Sequence, residues 1–194
     1  MLLTGHTGFK GSWLSLWLQS MGATLHGLAL PPPTHPSLFE ESHVAERMHS
    51  HIGDIRTFAT VQRAMAEAQP EIIIHMAAQP IVRESFTSPR ETYEVNVMGT
   101  VNLLAALTNR PALRTVLVIT SDKVYDNNDK GRAFQESDPL AGDDPYSASK
   151  AAAELVARDL AAPLVAADFA EELVAAEIAL QSAGSELVAV PLAV

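Results

Sequence analysis

The sequence predicts an α/β domain, a Rossmann-like doubly wound parallel sheet with helices on both faces. Three observations carry this reading. Short apolar runs recur near residues 1–4, 23–30, 48–52, 71–79 and 116–119, with helix-length segments between most of them. A glycine-spaced loop, Gly5-His6-Thr7-Gly8-Phe9-Lys10-Gly11, joins the first run directly to a helical segment. The fifth run, Val116-Leu117-Val118-Ile119, is continuously apolar and mostly β-branched, the pattern of a strand buried on both faces.

Composition sets the outer limits. At 194 residues the chain suits one domain with a sizeable core, and its 47% hydrophobic content argues against disorder. A formal charge of −10 argues against nucleic acid or an anionic membrane surface as a partner. The absence of cysteine excludes disulfides and thiolate metal sites and fits a cytoplasmic protein. No apolar run approaches membrane-spanning length, and residues 1–3 are too short for a signal-peptide core.

Taken in order, residues 1–4 form the first strand and the glycine loop follows at once. Gly5 permits a tight turn, Gly8 lets backbone approach a pyrophosphate, and Gly11 lets helix and strand pack closely. The helix start adds N–H groups and a dipole suited to phosphates, so Gly5, Gly8 and Gly11 form the candidate cradle, and Lys10 within the loop reads as a solvated side chain with phosphate contact as the alternative. The helix over 12–21 is apolar at Trp13, Leu14, Leu16, Trp17 and Leu18, which predicts packing of those residues on the sheet. The second strand, 23–30, runs into a proline-rich loop at 31–36. It lacks the acidic residue that would clasp an adenosine ribose, so this position does not choose between NAD and NADP. His43, His49 and His51 lack a third ligand at helical spacing and read as ordinary surface or edge residues, with no metal site.

The third strand, 48–52, ends in Gly53-Asp54-Ile55, where the carboxylate is placed to meet an adenine amino group. An amphipathic helix covers 58–68. The fourth strand runs through 71–79 into Ala77-Ala78-Gln79, whose two alanines suit either a flat cofactor lying against the backbone or close helix–strand packing. Residues 90–108 form a long helix containing Asn96 and Gly99. After the fifth strand polarity switches abruptly at Thr120-Ser121-Asp122-Lys123, beyond the carboxyl end of a strand, where open α/β sheets bind ligands. A polar loop at 126–144 leads to a helix at 145–160 bearing Tyr146 and Lys150. Four residues apart, these share one helix face, where the ammonium would lower the phenol's pKa and ready it as a base. From Asp159 onward there are six acids and no Lys or Arg. The chain therefore divides into a dinucleotide-binding domain at 1–160 and an acidic, alanine-rich tail at 161–194. The tail reads as a helix after Pro163, a stop at Gly184 and a short edge strand at 187–194.

Six motifs stand in order: Thr4 with the glycine loop, Gly53-Asp54-Ile55, His75-Met76-Ala77-Ala78-Gln79, Asn96-Val97-Met98-Gly99-Thr100, Thr120-Ser121-Asp122-Lys123, and Tyr146-Ser147-Ala148-Ser149-Lys150. Together they resemble the extended short-chain dehydrogenase/reductase superfamily. Within it, the glycine loop through Leu14 and the Thr120–Lys123 run are similar to the CDP-glucose 4,6-dehydratases, whose dTDP-glucose and GDP-mannose relatives carry Glu where this chain has Lys123. The resemblance implies NAD as cofactor, a nucleotide sugar such as CDP-glucose as substrate, and catalysis by Ser121, Asp122, Lys123, Tyr146 and Lys150. It implies cofactor contacts from Gly5, Thr7, Gly8, Phe9, Lys10, Gly11, Asp54, Ile55, Ala77, Ala78, Gln79, Asn96, Tyr146 and Lys150, and a homodimer built on the helices near 91–108 and 146–160.

The implied reaction oxidises C4 of the sugar, eliminates water across C5–C6 and returns the hydride to C6. Tyr146 is its first base, with Ser121 bonded to the 4-oxygen, Lys123 its base at C5 and Asp122 its acid at the 6-hydroxyl. The resemblance ends near residue 160, so the substrate lobe of the relatives is missing or replaced. Two other readings use the same residues: an epimerase or reductase of the superfamily, and a dinucleotide-binding remnant without activity.

Overall fold

The computed structural model describes residues 1–108, 110–127, 131–161 and 187–191. Strands β1 (Leu2–Thr4), β2 (His26–Ala29), β3 (His49–Ile52), β4 (Ile72–His75), β5 (Thr115–Ile119) and β6 (Leu187–Pro191) form one sheet in the order β3-β2-β1-β4-β5-β6. The first five are parallel, and β6 runs antiparallel on β5, with Leu187 opposite Ile119 and Pro191 opposite Thr115. The strand order reverses between β1 and β4, which opens the crevice where doubly wound folds bind their ligands.

Helices α1 (Phe9–Ser20), α2 (Leu38–Glu41), α3 (Phe58–Ala68), α4 (Val82–Thr87), α5 (Pro89–Tyr93), α6 (Gly99–Ala105) and α7 (Pro145–Ala161) fill the connections. The bounds of α3 and the start of α7 match the sequence reading. The short α2 and α4 and a 3-10 turn at Val44–Arg47 are additions to it. The predicted helix over 90–108 is α5 and α6 joined by one π-helical stretch, Glu94–Met98, all in right-handed backbone. The expected helix after Pro163 and stop at Gly184 lie outside the described residues. The main core joins Leu2, Leu28, Ile73, Val116 and Val118 of the strands to Val61 and Met65 of α3, Leu103 and Leu104 of α6, and Ala157 of α7.

Helix α1 departs from the sequence reading. Its buried residues are Gly11, Ser12 and Ser15, while Trp13 and Trp17 face outward. The reason is distance: a Cβ on Gly11 would overlap the Gly5 carbonyl oxygen, so the helix lies too close to β1 for a bulky face. Ser12 and Ser15 tolerate burial because their hydroxyls donate to the Gly8 and Gly11 carbonyls, both at 2.8 Å.

One buried polar chain ties the sheet to the helices. Thr4 Oγ1 accepts N–H bonds from Met76 and Ala77, each 3.1 Å, and lies 2.7 Å from His75 Nδ1. With its acceptor capacity taken, the Thr4 hydroxyl donates to Nδ1, which leaves the His75 proton on Nε2. That nitrogen donates to Thr100 Oγ1 at 3.0 Å, and Thr100 donates to the Asn96 carbonyl at 2.7 Å. Burial, with Lys150 nearby, drives His75 down to about 3, so the ring is neutral.

Thr4→Val should orphan the Ala77 N–H and one imidazole nitrogen, while the Met76 N–H keeps the Thr4 backbone carbonyl at 3.2 Å, lowering stability by about 2–4 kcal/mol in denaturant unfolding. Thr4→Ser should recover most of that loss. At the sheet edge, those amides of residues 187–190 that face β5 should exchange far more slowly than those of a free coil.

Candidate active site

Every sequence-predicted site residue lies in a loop or helix beyond the carboxyl ends of β1, β3, β4 and β5. The glycine loop makes the first wall. Gly5 has φ of +79° and donates its N–H to the Leu28 carbonyl at 2.9 Å. A Cβ there would come within 2.9 Å of the Ala77 amide nitrogen, so the loop and the turn after β4 are pressed together. Gly8 is different. A Cβ added there meets nothing nearer than the Gly5 carbonyl oxygen at 3.4 Å, so the space beside it is open at the start of α1. This is a cradle shaped for an anion at a helix N-terminus.

The other cradle residues divide into framework and rim. Thr7 is buried and spends its hydroxyl on the Leu30 carbonyl at 2.8 Å. His6, fully buried beneath the loop, bonds Ser50 at 2.7 Å and is driven down to about 4 by burial, so it is neutral filling. Phe9 and Lys10 are exposed.

At the adenine end, the Asp54 carboxylate is gripped by Arg56, whose Nε lies 2.8 Å and Nη2 2.6 Å from the same oxygen. This pairing holds Asp54 below its ordinary value. Arg56 also reaches Glu91 of α5 at 3.3 Å, and Asn102 of α6 donates to the Ile55 and Arg56 carbonyls. The Ile55 side chain is core, lying where a Cβ on Gly99 would strike it. Sequence reading had not singled out Arg56 or Asn102; the charge on Arg56 was the available signal.

After β4, Ala77 and Ala78 form a half-buried floor, and Gln79 is stitched into the framework. Its N–H donates to Asn96 Oδ1 at 2.8 Å and its side chain donates to Thr92 at 2.9 Å. Asn96 sits in the π turn, a device found often at functional sites. Its Nδ2 donates to Ser149 of α7 at 2.8 Å, and Ser149 donates to the Tyr146 carbonyl at 2.7 Å. One asparagine therefore joins the floor to the helix bearing Tyr146 and Lys150.

The catalytic candidates meet beyond β5. Ser121 caps a short 3-10 turn, Asp122–Val124, by accepting the Lys123 N–H at 3.2 Å, and its hydroxyl donates to Asp122 at 3.2 Å. Asp122 and Lys123 are exposed at the mouth of the crevice. Asp144 caps α7 through the Ser147 N–H at 2.9 Å and the Ser147 hydroxyl at 2.7 Å, ahead of Pro145 in the first helical position. Lys150 is buried, its Nζ donating to the Ile119 carbonyl at 3.0 Å. Burial, then the charge of Lys10, brings it down to about 8.

Tyr146 corrects an expectation. Its phenol stands above its ordinary value because burial outweighs its hydrogen bond to Ser121, and Asp122 and Asp144 push the same way. Lys150, anchored to the backbone of β5, is not among the influences that move it. Among the described residues, no group of His, Cys, Asp or Glu could hold a metal ion, and no helix is long and apolar enough to cross a membrane.

The family model described as GDP-mannose 4,6 dehydratase matches residues 2–162. The chain is 55% identical over 157 residues to a CDP-glucose 4,6-dehydratase of Salmonella typhimurium, covering 81% of this chain and 44% of that protein. It is 32% identical over 169 residues to a dTDP-glucose 4,6-dehydratase of Xanthomonas campestris pv. campestris, covering 81% and 47%. Among solved structures, it superposes with a TM-score of 0.66 and 30% identity on the dTDP-glucose 4,6-dehydratase DesIV of Streptomyces venezuelae with NAD bound, covering 81% of this chain and 50% of that one. The UDP-glucose 4-epimerase of Thermus thermophilus, in complex with NAD, gives a TM-score of 0.71 at 27% identity, covering 84% and 50%. The chain thus spans about half the length of these relatives. With the family model matching from β1 through α7, the chain belongs to the GDP-mannose 4,6 dehydratase family, within the extended short-chain dehydrogenase/reductase superfamily.

Proposed function

We propose that the chain carries the cofactor-binding and catalytic residues of a nucleotide-sugar 4,6-dehydratase that converts CDP-glucose to CDP-4-keto-6-deoxyglucose with NAD. The observation that carries this reading is the run Ser121-Asp122-Lys123 at the end of β5, at the same end of the sheet as the open cradle at Gly8 and beside the helix bearing Tyr146 and Lys150, whose Nζ donates to the Ile119 carbonyl. The similarity to the Salmonella typhimurium enzyme supports CDP-glucose as the sugar nucleotide.

A dinucleotide fits the residues present. Gly5, Gly8 and Gly11 with the start of α1 would hold the pyrophosphate, Asp54 would face the adenine amino group, and the Ala77–Ala78 floor would take the flat ring. When bound, NAD supplies the hydride acceptor at C4 and the hydride donor at C6.

The chain's own residues handle protons. Tyr146 takes the proton of the 4-hydroxyl, and Ser121 donates a hydrogen bond to the developing 4-oxygen. Burial and the carboxylates of Asp122 and Asp144 hold the phenol up, so this base needs a cation brought beside it, the role this reading gives to Lys150. The resulting 4-ketone acidifies C5. Lys123 removes the C5 proton while Asp122 passes a proton to the departing 6-hydroxyl, which leaves as water. The homodimer belongs to the same proposal, its contact being the outward faces of the helices over 91–108 and 146–160, where Tyr93, Met98 and Leu155 are exposed.

An epimerase or reductase would use Ser121, Tyr146 and Lys150 and leave Asp122 and Lys123 without a task, so product identity separates the readings. Gly8→Val should fold normally, because the protein leaves room for the side chain, yet lose NAD binding by filling the phosphate space. Unchanged affinity by titration would reject the placement. With CDP-glucose in single turnover, Lys123→Ala should still reduce bound NAD but form 4-keto-6-deoxy product about 10²–10⁴ more slowly. Tyr146→Phe should block the first step as well. A Lys123→Ala variant making product at the parental rate would remove the dehydratase assignment's sharpest support.

A further inference from the structure

Beyond Phe9, which borders the glycine loop, the outward face of α1 takes no part in this chemistry. Because Gly11, Ser12 and Ser15 face the sheet, the helix turns its large residues to the surface. Phe9, Trp13, Trp17 and Met21, four apart in sequence, are 71%, 56%, 65% and 69% exposed. Trp13, Trp17 and their neighbours Leu14 and Leu16 line a shallow apolar depression. Single exposed apolar side chains are ordinary, but a row of four large ones along one helix is not. From Phe9 to Met21 the only charged residue is Lys10.

We propose that this stripe is a self-association surface, covered by the same helix of a second copy of the chain. Area supports that occupant. An aromatic side chain offers about 150–250 Å², so at these exposures each of the three leaves roughly 100–150 Å² uncovered. With Met21, Leu14 and Leu16 the face approaches about 600 Å², as large as the biggest patch of a typical monomer. Paired with its own mate it would bury about 1,200 Å² in total, the lower bound of a stable specific interface.

Charge and geometry point the same way. The chain carries a formal charge of −10, so two copies repel one another over most of their surfaces. The stripe contributes no carboxylate, and pairing there sets no acid of α1 against an acid of its mate. Residues at i, i+4 and i+8 form a single ridge, and two such ridges related by a two-fold axis interdigitate at about −50°. This surface is separate from the face of the helices over 91–108 and 146–160.

Both tryptophans of the chain lie on the stripe, so indole emission reads its burial directly. The experiment compares the parent with a Trp13→Glu/Trp17→Glu variant by sedimentation, and follows the parent's tryptophan emission and acrylamide quenching against concentration. The expected result is a parental mass twice that of the variant, with emission moving blue and quenching falling as the mass rises. The variant should keep the parental circular dichroism, because both side chains point away from the sheet. Equal masses would overturn the proposal, since assembly would then lie elsewhere. So would blue, quench-protected emission in the dilute monomer, which would mean another stretch of the same chain covers the stripe. Should the variant unfold, the parent decides alone: emission unchanged across its association range overturns the proposal.

Discussion

The Thr4 hydroxyl is the constraint on which the rest of the structure depends. It has two acceptor sites and one proton, and β1 places it where the Met76 and Ala77 amides take the first two and His75 takes the third. That occupancy fixes the direction of every later bond: Thr4 to His75, His75 to Thr100, Thr100 to the Asn96 carbonyl. The Asn96 side chain then carries the connection to Gln79 and to Ser149 of α7. In a dry interior such a chain is costly if any member is unpaired, so it admits one arrangement of strands and helices. The consequence for function is that the floor after β4 and the helix bearing Tyr146 and Lys150 are parts of one framework.

A second constraint is the closeness of α1 to the glycine loop. The approach that puts a helix start beside Gly8 forbids a Cβ at Gly11 and restricts the buried face of α1 to small residues. Hydrophobic side chains on that helix are thereby displaced to its outer surface. The phosphate cradle and the aromatic stripe are two results of the same packing distance. Charge is distributed with similar economy. Lys150 is buried against a carbonyl, and the exposed Asp122 and Lys123 stand at the mouth, where a substrate would meet them.

Much of this was legible in the sequence because it is written in local signals. The glycine spacing, the apolar run ending at Ile119, the Asp144-Pro145 helix start and the amphipathic 58–68 segment each have a short-range physical cause. What was not legible depends on distances between elements. The face of α1 could not be read, because five apolar residues on a helix say nothing of how near the sheet will stand. His75 in an apolar strand looks like any lone histidine until Thr4 and Thr100 are seen on either side of it. The direction of the Tyr146 shift was misread for a similar reason. Helical spacing brings Lys150 to the same face, but the Ile119 carbonyl captures its ammonium. Stacking of His26 on His49, with ring centroids 4.4 Å apart, likewise required the pairing of β2 with β3.

The central claim is that the Thr4–His75–Thr100–Asn96 chain is neutral and runs in one direction. The most direct test is nitrogen-15 NMR of the His75 imidazole across the neutral pH range. The account predicts a ring that does not titrate there, with its proton on Nε2 and Nδ1 accepting from Thr4. A proton on Nδ1, or a ring that titrates near the ordinary histidine value, would contradict it.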